Sequence, residues 1–245
     1  MRFKDRVVIV TGGGSGIGFA CAKRFAEEGA RVVLAERSPE KAEARVGELK
    51  AAGAADVWVA ACDVSDEAQV VAACDGAEQR WGRLDVVVNN AGLMTFTPIE
   101  DQTGEEWNRV LGVDLLGAFF FTREAFRRMG QGGAIVNIAS VHAVMTSPLA
   151  APYAAAKAAV LSLTRTASIE GKPKGIRCNA VLPGAVDTPM LWDNPNIKSG
   201  AEVIAPEDVG KPENIAAAVA FLAADEAAFV TGASLNVDGG RLAKL

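Results

Sequence analysis

Ser140, Tyr153 and Lys157 have the types and spacing that suit proton transfer to and from an oxygen atom. Lys157 follows Tyr153 at i+4, which puts the phenol and the ammonium on one face of a helix. A free phenol ionises near pH ~10 and is a poor base at neutrality, whereas an adjacent ammonium favours the phenolate and lowers that value. Ser140 closes an apolar run ahead of the helix, where its hydroxyl can orient a substrate oxygen. A tyrosine packed beside a lysine on a helix surface would read the same way, so the spacing alone is weak. Two facts strengthen it: this is the only tyrosine in the chain, and it follows a strand end.

A second group of residues suits an anion. Thr11-Gly12-Gly13-Gly14-Ser15-Gly16-Ile17-Gly18 comes directly after the apolar run Val7-Val8-Ile9-Val10 and opens a helical pattern. Glycines there tighten the turn, let a pyrophosphate approach the backbone and leave N–H groups free at a helix N-terminus. Glu36 lies 18 residues beyond Gly18, close to the ~20 expected of a carboxylate that binds an adenosine ribose. A carboxylate at that point repels the 2′-phosphate of NADP and favours NAD. Arg37 beside it can hold that phosphate, so NADP stays possible.

These residues need a scaffold, and the rest of the chain supplies its pattern. Short β-branched runs at 7–10, 31–35, 57–60, 85–88, 134–138, 176–181 and 234–237 alternate with helical patterns at 16–28, 39–52, 66–81, 103–129, 151–170 and 212–224. Unbroken apolar strands interleaved with helices predict an α/β fold, with a doubly wound parallel sheet covered on both faces and right-handed crossovers. One domain over residues 1–245 is expected, because no linker or repeat interrupts the rhythm. The Pro-rich, weakly periodic stretch 187–210 reads as a substrate lid.

Composition removes whole classes of function. The chain has 245 residues, half of them hydrophobic, with 30 acidic and 25 basic side chains and a formal charge of −5. That excludes disorder and coiled coil. The acidic balance argues against nucleic acid or an anionic membrane as partner. The longest uncharged apolar stretch, Leu115 to Phe121, is far short of the ~18 residues of a membrane span. The N-terminal segment lacks the pattern of a signal peptide. Cys21, Cys62, Cys74 and Cys178 form no C-x-x-C, and a single histidine leaves no Cys/His metal site. Reduced, buried thiols in a cytoplasmic protein are the expectation.

Taken together the motifs resemble the short-chain dehydrogenase/reductase family, in its single-domain subgroup with T-G-x-x-x-G-x-G and Y-x-x-x-K. The resemblance runs through Thr11 to Gly18, Cys62-Asp63-Val64, Asn89-Asn90-Ala91-Gly92, Ser140, Tyr153, Lys157, Pro183-Gly184, Thr188 and Val237-Asp238-Gly239-Gly240. It implies a Rossmann-type fold and an NAD(P)-dependent oxidoreductase of secondary alcohols or ketones, with Tyr153 as general acid/base. Ser140 would hold the substrate oxygen, and Lys157 would bind the nicotinamide ribose and lower the tyrosine pKa. By the same resemblance Gly12, Ser15, Gly16, Ile17 and Gly18 face the cofactor phosphates, Asp63 and Val64 the adenine, and Asn90, Ala91 and Gly92 the cofactor's flank. Pro183, Gly184, Val186 and Thr188 are implied at the carboxamide end, and a homotetramer is the implied assembly.

One position departs from the family. Asp114 stands where asparagine is usual in a water-linked proton relay that ends at the lysine. A carboxylate near Lys157 offsets part of the positive potential on Tyr153 and is expected to raise the pH optimum of alcohol oxidation. His142, Met94, Met190 and Trp192 are the expected substrate contacts, with Val144, Met145 and Leu149 as further pocket candidates, although histidine, methionine and tryptophan also serve as plain packing. The expected substrate is a small polar alcohol, a sugar or a hydroxy acid. A 3-oxoacyl thioester reduced with NADPH is the alternative, and a catalytically silent nucleotide-binding regulator is a rival of another class.

Overall fold

The computed structural model describes residues 1–130 and 132–244, so the expected domain runs over two positions, 131 and 245, that lie outside the described residues. Among the described residues seven strands form one parallel sheet in the order β3-β2-β1-β4-β5-β6-β7. They are β1 (Val7–Thr11), β2 (Arg31–Glu36), β3 (Asp56–Ala61), β4 (Val86–Asn89), β5 (Gly133–Ile138), β6 (Ile176–Pro183) and β7 (Ser234–Val237). Each expected β-branched run is a strand. Every residue of β1 and β4 is buried, which is why those runs show no polar alternation.

The helices cover both faces. On one side α1 (Gly16–Glu27), α2 (Pro39–Ala52) and α9 (Pro212–Ala223) enclose Phe3, Phe25, Leu34, Leu49, Ile215 and Leu222. On the other, α3 (Glu67–Trp81) and α5 (Gly117–Arg128) enclose Ile9, Val70, Cys74, Phe121 and Ile135. Fully burying each such side chain contributes roughly 1.5–3 kcal/mol. β1 pairs with β2 on one side and β4 on the other, so the winding reverses there and a crevice opens beyond their C-terminal ends.

Two departures from expectation bear on the site. The continuous helix expected over 103–129 is α4 (Gly104–Leu111), then a π-helical turn at Gly112–Leu116, then α5. A π turn shifts the register of everything after it, and such turns concentrate at functional sites. The stretch 187–210 is not shapeless either. It holds α7 (Pro189–Trp192) and α8 (Pro195–Lys198), each with proline at its start, where the missing N–H costs nothing. Its ends meet in a parallel bridge between Val186 and Gly210, with Asp187 N–H donating to Gly210 O at 2.9 Å and Gly210 N–H to Ala185 O at 2.9 Å. The loop is closed at its base.

Candidate active site

The crevice holds a cleft of about 390 Å³. At one end is the glycine turn. Gly12 and Gly16 have φ of +62° and +52°, in the left-handed region that favours glycine. A Cβ on Gly12 would lie 3.1 Å from Asn90 Nδ2 and 3.2 Å from Ala91 Cα. Asn90 braces the turn by donating to Thr11 O at 2.9 Å, while the Thr11 hydroxyl accepts from the N–H groups of Asn90 and Ala91 at 2.9 Å each. Ser15 is the N-cap of α1, yet its side chain caps nothing. Among the described residues the first N–H groups of α1 have no side-chain cap where Gly16 and Ile17 line the cleft. That is the arrangement a phosphate uses.

Beyond the turn stand Glu36 and Arg37 at the end of β2 and Asp63 and Val64 after β3. The Glu36 carboxylate accepts from Gly14 N–H at 3.2 Å and from Ser38 N–H at 3.4 Å. Ala91 and Gly92 form one wall, and Pro183, Gly184, Val186 and Thr188 the other. These residues fit an NAD(P) dinucleotide: a strained glycine cradle, an uncapped helix N-terminus and a carboxylate at the far end.

At the opposite end the cleft reaches Ser140, Tyr153 and Lys157. Ser140 follows β5 and accepts from His142 N–H at 3.1 Å. Tyr153 and Lys157 rise from α6 (Ala151–Gly171), both buried, with Lys157 Nζ 5.5 Å from the phenol ring centre. The ammonium donates to Ile138 O at 3.1 Å and lies 3.2 Å from Asp114 Oδ2. Asp114, in the π turn, accepts from Leu93 N–H at 2.8 Å through its other oxygen. Burial pushes the Tyr153 phenol above its ordinary range; Lys157 and a hydrogen bond with Ser140 pull it down, and Asp114 pushes it up again. Burial depresses Lys157, but Asp114 and Tyr153 outweigh that and hold the ammonium above the usual lysine range.

The structure brings together most of the sequence-derived residues, but six of them do not line the cleft. Gly18 does not line the cleft; it packs beneath the turn, where a Cβ would run into Gly12 O and lie 2.5 Å from Asn90 Nδ2. Trp192 does not line it either, because its indole N–H turns to donate to Asp187 Oδ1 at 2.7 Å and the residue is half exposed. Asp114 sits behind Gly92 rather than in the cleft. Met94, His142 and Met190 do line it, whereas Val144, Met145 and Leu149 do not. Leu93, Pro189, Leu191 and Asn194 line it unforeseen. Asn194 had one sequence signal, its place before Pro195 as an N-cap, and its side chain accepts from Asn196 N–H at 2.9 Å.

Comparison with known proteins converges on one family. The family model described as enoyl-(acyl carrier protein) reductase matches residues 12–241. The chain is 42% identical to a 3beta-hydroxysteroid dehydrogenase of Eggerthella lenta, over 97% of this chain and 94% of that protein. It is 41% identical to a cis-4-hydroxycyclohexanecarboxylate dehydrogenase of Sinomonas cyclohexanicum, over 97% of each. The crystal structure of a levodione reductase superposes with a TM-score of 0.91 at 39% identity, covering all of both chains. With the glycine turn, the Ser-Tyr-Lys group and these likenesses in hand, the chain belongs to the short-chain dehydrogenase/reductase family, the NAD(P)-dependent oxidoreductases of CH–OH groups.

Proposed function

We propose that this enzyme interconverts a cyclic secondary alcohol and its ketone with NAD as the preferred cofactor. The observation that carries the reading is that Ser140, Tyr153 and Lys157 line the same cleft as an uncapped glycine turn with a carboxylate at its far end. The nicotinamide, when bound, supplies or accepts the hydride. Tyr153 gives or takes the hydroxyl proton, and Ser140 orients the substrate oxygen. Lys157 holds the nicotinamide ribose and steadies the phenolate. Glu36 binds the adenosine ribose hydroxyls and disfavours a 2′-phosphate. A ring-bearing substrate, a narrower choice than the small polar alcohol, sugar or hydroxy acid read from the sequence, is supported by the names of relatives that act on a hydroxysteroid, a hydroxycyclohexanecarboxylate and levodione. Leu93, Met94, Met190 and Leu191 supply an apolar lining for such a ring.

The segment 187–210 acts in this reading as the lid over the substrate. A homotetramer is supported by exposed apolar side chains on two separate faces. Leu116, Phe119 and Ile169 lie on and beside α5 and α6, while Phe221, Phe229 and Leu235 lie near α9 and β7. Among the described residues no helix is long and apolar enough to cross a membrane.

The test is the change in reduced-nicotinamide absorbance with NAD or NADP against cyclic alcohols, open-chain diols, hydroxy acids and 3-oxoacyl thioesters. Fastest turnover of a cyclic alcohol with NAD is expected. Thioester reduction with NADPH as the fastest reaction would overturn the reading, and the description of the matching family model makes that the comparison to include.

A further inference from the structure

Asp114 is a carboxylate sealed beneath the site, 2% exposed and walled off by Gly92, where a Cβ would meet its Oδ2 at 2.9 Å and Lys157 Nζ at 3.3 Å. Leu93 N–H donates to one of its oxygens and the Lys157 ammonium stands 3.2 Å from the other; burial pushes the carboxyl up, while the Lys157 charge and the Leu93 hydrogen bond oppose that and favour the carboxylate. Lys157 is therefore charge-matched from below while its upper side faces the Tyr153 ring. The rest of the tyrosine's surroundings adds little charge. Val110 of α4, Ala156 of α6 and the neighbouring Leu93, Met94, Leu111 and Leu115 pack around it. His142 stands edge-on with ring centres 5.7 Å apart. Burial first, with Arg241 helping and Glu202 opposing, keeps that imidazole below its ordinary range and so uncharged at neutrality. Glu36, Arg37 and Asp63 line the same cleft beyond the glycine turn.

We infer that Asp114 is a positioning residue that acts through Lys157 to keep Tyr153 protonated at neutral pH, making this site a proton donor suited to carbonyl reduction. The inference rests on the proposed function. In reduction the carbonyl carbon receives the hydride that the reduced nicotinamide supplies. The Tyr153 O–H bond breaks as an O–H bond forms on the substrate oxygen, and the phenolate regains a proton from water. The protonated phenol serves this direction across the whole neutral range. Alcohol oxidation needs the phenolate, so its rate climbs with pH up to the Tyr153 midpoint.

The lone tyrosine makes the test direct, because phenolate ultraviolet absorbance reports Tyr153 alone. Titration of the free protein, with Tyr153→Phe as the blank, is expected to show phenolate only above the ordinary range of a free phenol. In Asp114→Asn, whose amide oxygen can still accept from Leu93, the midpoint is expected to fall by about one unit. Asp114→Ser serves as a second variant should the amide fail to fold, with circular dichroism confirming the fold of each. A wild-type midpoint below the ordinary range of a free phenol, or a folded variant whose midpoint does not move, overturns the inference. The titration needs neither substrate nor cofactor. A midpoint that behaves as expected in a protein that turns over no alcohol would sink the proposed function and leave the role of Asp114 standing.

Discussion

Glu36 Oε2 lies 3.2 Å from the main-chain nitrogen of Gly14 and accepts its hydrogen bond, so the end of the second strand is tied to the glycine turn at the mouth of the cleft. The approach is close: a Cβ on Gly14 would stand 3.0 Å from the same oxygen. One carboxylate thereby shapes the turn and, under the proposed function, sets the charge that an incoming ribose meets. Replacing Glu36 by serine removes a hydrogen bond to a charged group and the repulsion of a 2′-phosphate together. The expected result is a fall of roughly tenfold to a hundredfold in the kcat/KM ratio of NAD to NADP. Initial rates with both cofactors measure it, and an unchanged ratio would remove Glu36 from that role.

Tyr153→Phe deletes one oxygen from a buried ring that packs against Val110 and Ala156. Turnover should drop by roughly 10²–10⁴, while NAD affinity, read by protein fluorescence, stays within about threefold because most of the cofactor cleft is untouched. Turnover within tenfold of wild type would show that the proton passes elsewhere.

Gly92→Ala places a methyl group 2.9 Å from Asp114 Oδ2. Neither partner of that ion pair can retreat, since Lys157 is also held by Ile138 O and Asp114 by Leu93 N–H. A loss of roughly 1–3 kcal/mol is expected, as for overpacking elsewhere in protein interiors. Urea unfolding checks it, and an unshifted midpoint would mean that the pair has room to move.

Acid unfolding should report Glu28. The Arg2 guanidinium bonds it through Nε at 2.6 Å and Arg24 through Nε at 2.7 Å. The Arg2 hydrogen bond, aided by Arg24 and opposed by burial, holds the carboxyl down at about 2 against an ordinary 4.5. A carboxyl depressed by folding contributes stability above its unfolded value and loses it as pH falls towards the folded one. The contribution, roughly 2–3 kcal/mol, is therefore present at neutrality and fades from about pH 4.5 down to 2. Glu28→Gln should flatten the dependence of urea stability on pH across that interval. An equally steep dependence in the variant would place the acid sensitivity at other carboxylates.

Much of this architecture is readable from residue order because strands buried on both faces must be apolar throughout, and β1 and β4 are. The Thr11–Gly18 turn and the Tyr153–Lys157 pair are equally legible, being local in sequence. What stayed hidden depends on contacts between distant segments. The π turn at Gly112–Leu116 lies between Gly112 and Gly117, poor helix formers that mark a weak point without showing what replaces the α-helix there, and the meeting of Asp114 with Lys157, 43 positions away, is expected only through the family resemblance. Trp192 has the composition of a pocket residue, yet Asp187, five positions before it, turns the indole aside. Gly18 shares the motif of the turn but serves the close packing of Gly12 against Asn90.

The bridge between Val186 and Gly210 has an evolutionary consequence. A loop whose ends are already stitched together asks little of the sheet that carries it, since lengthening such a loop adds closure entropy only slowly. Its inner residues, Pro189, Met190, Leu191 and Asn194, face the cleft and can be exchanged as a cassette while Ser140, Tyr153 and Lys157 stay fixed on their strand end and helix. Under the proposed function, one proton-transfer centre can thus be retained while successive replacements of this cassette fit it to alcohols of quite different outline.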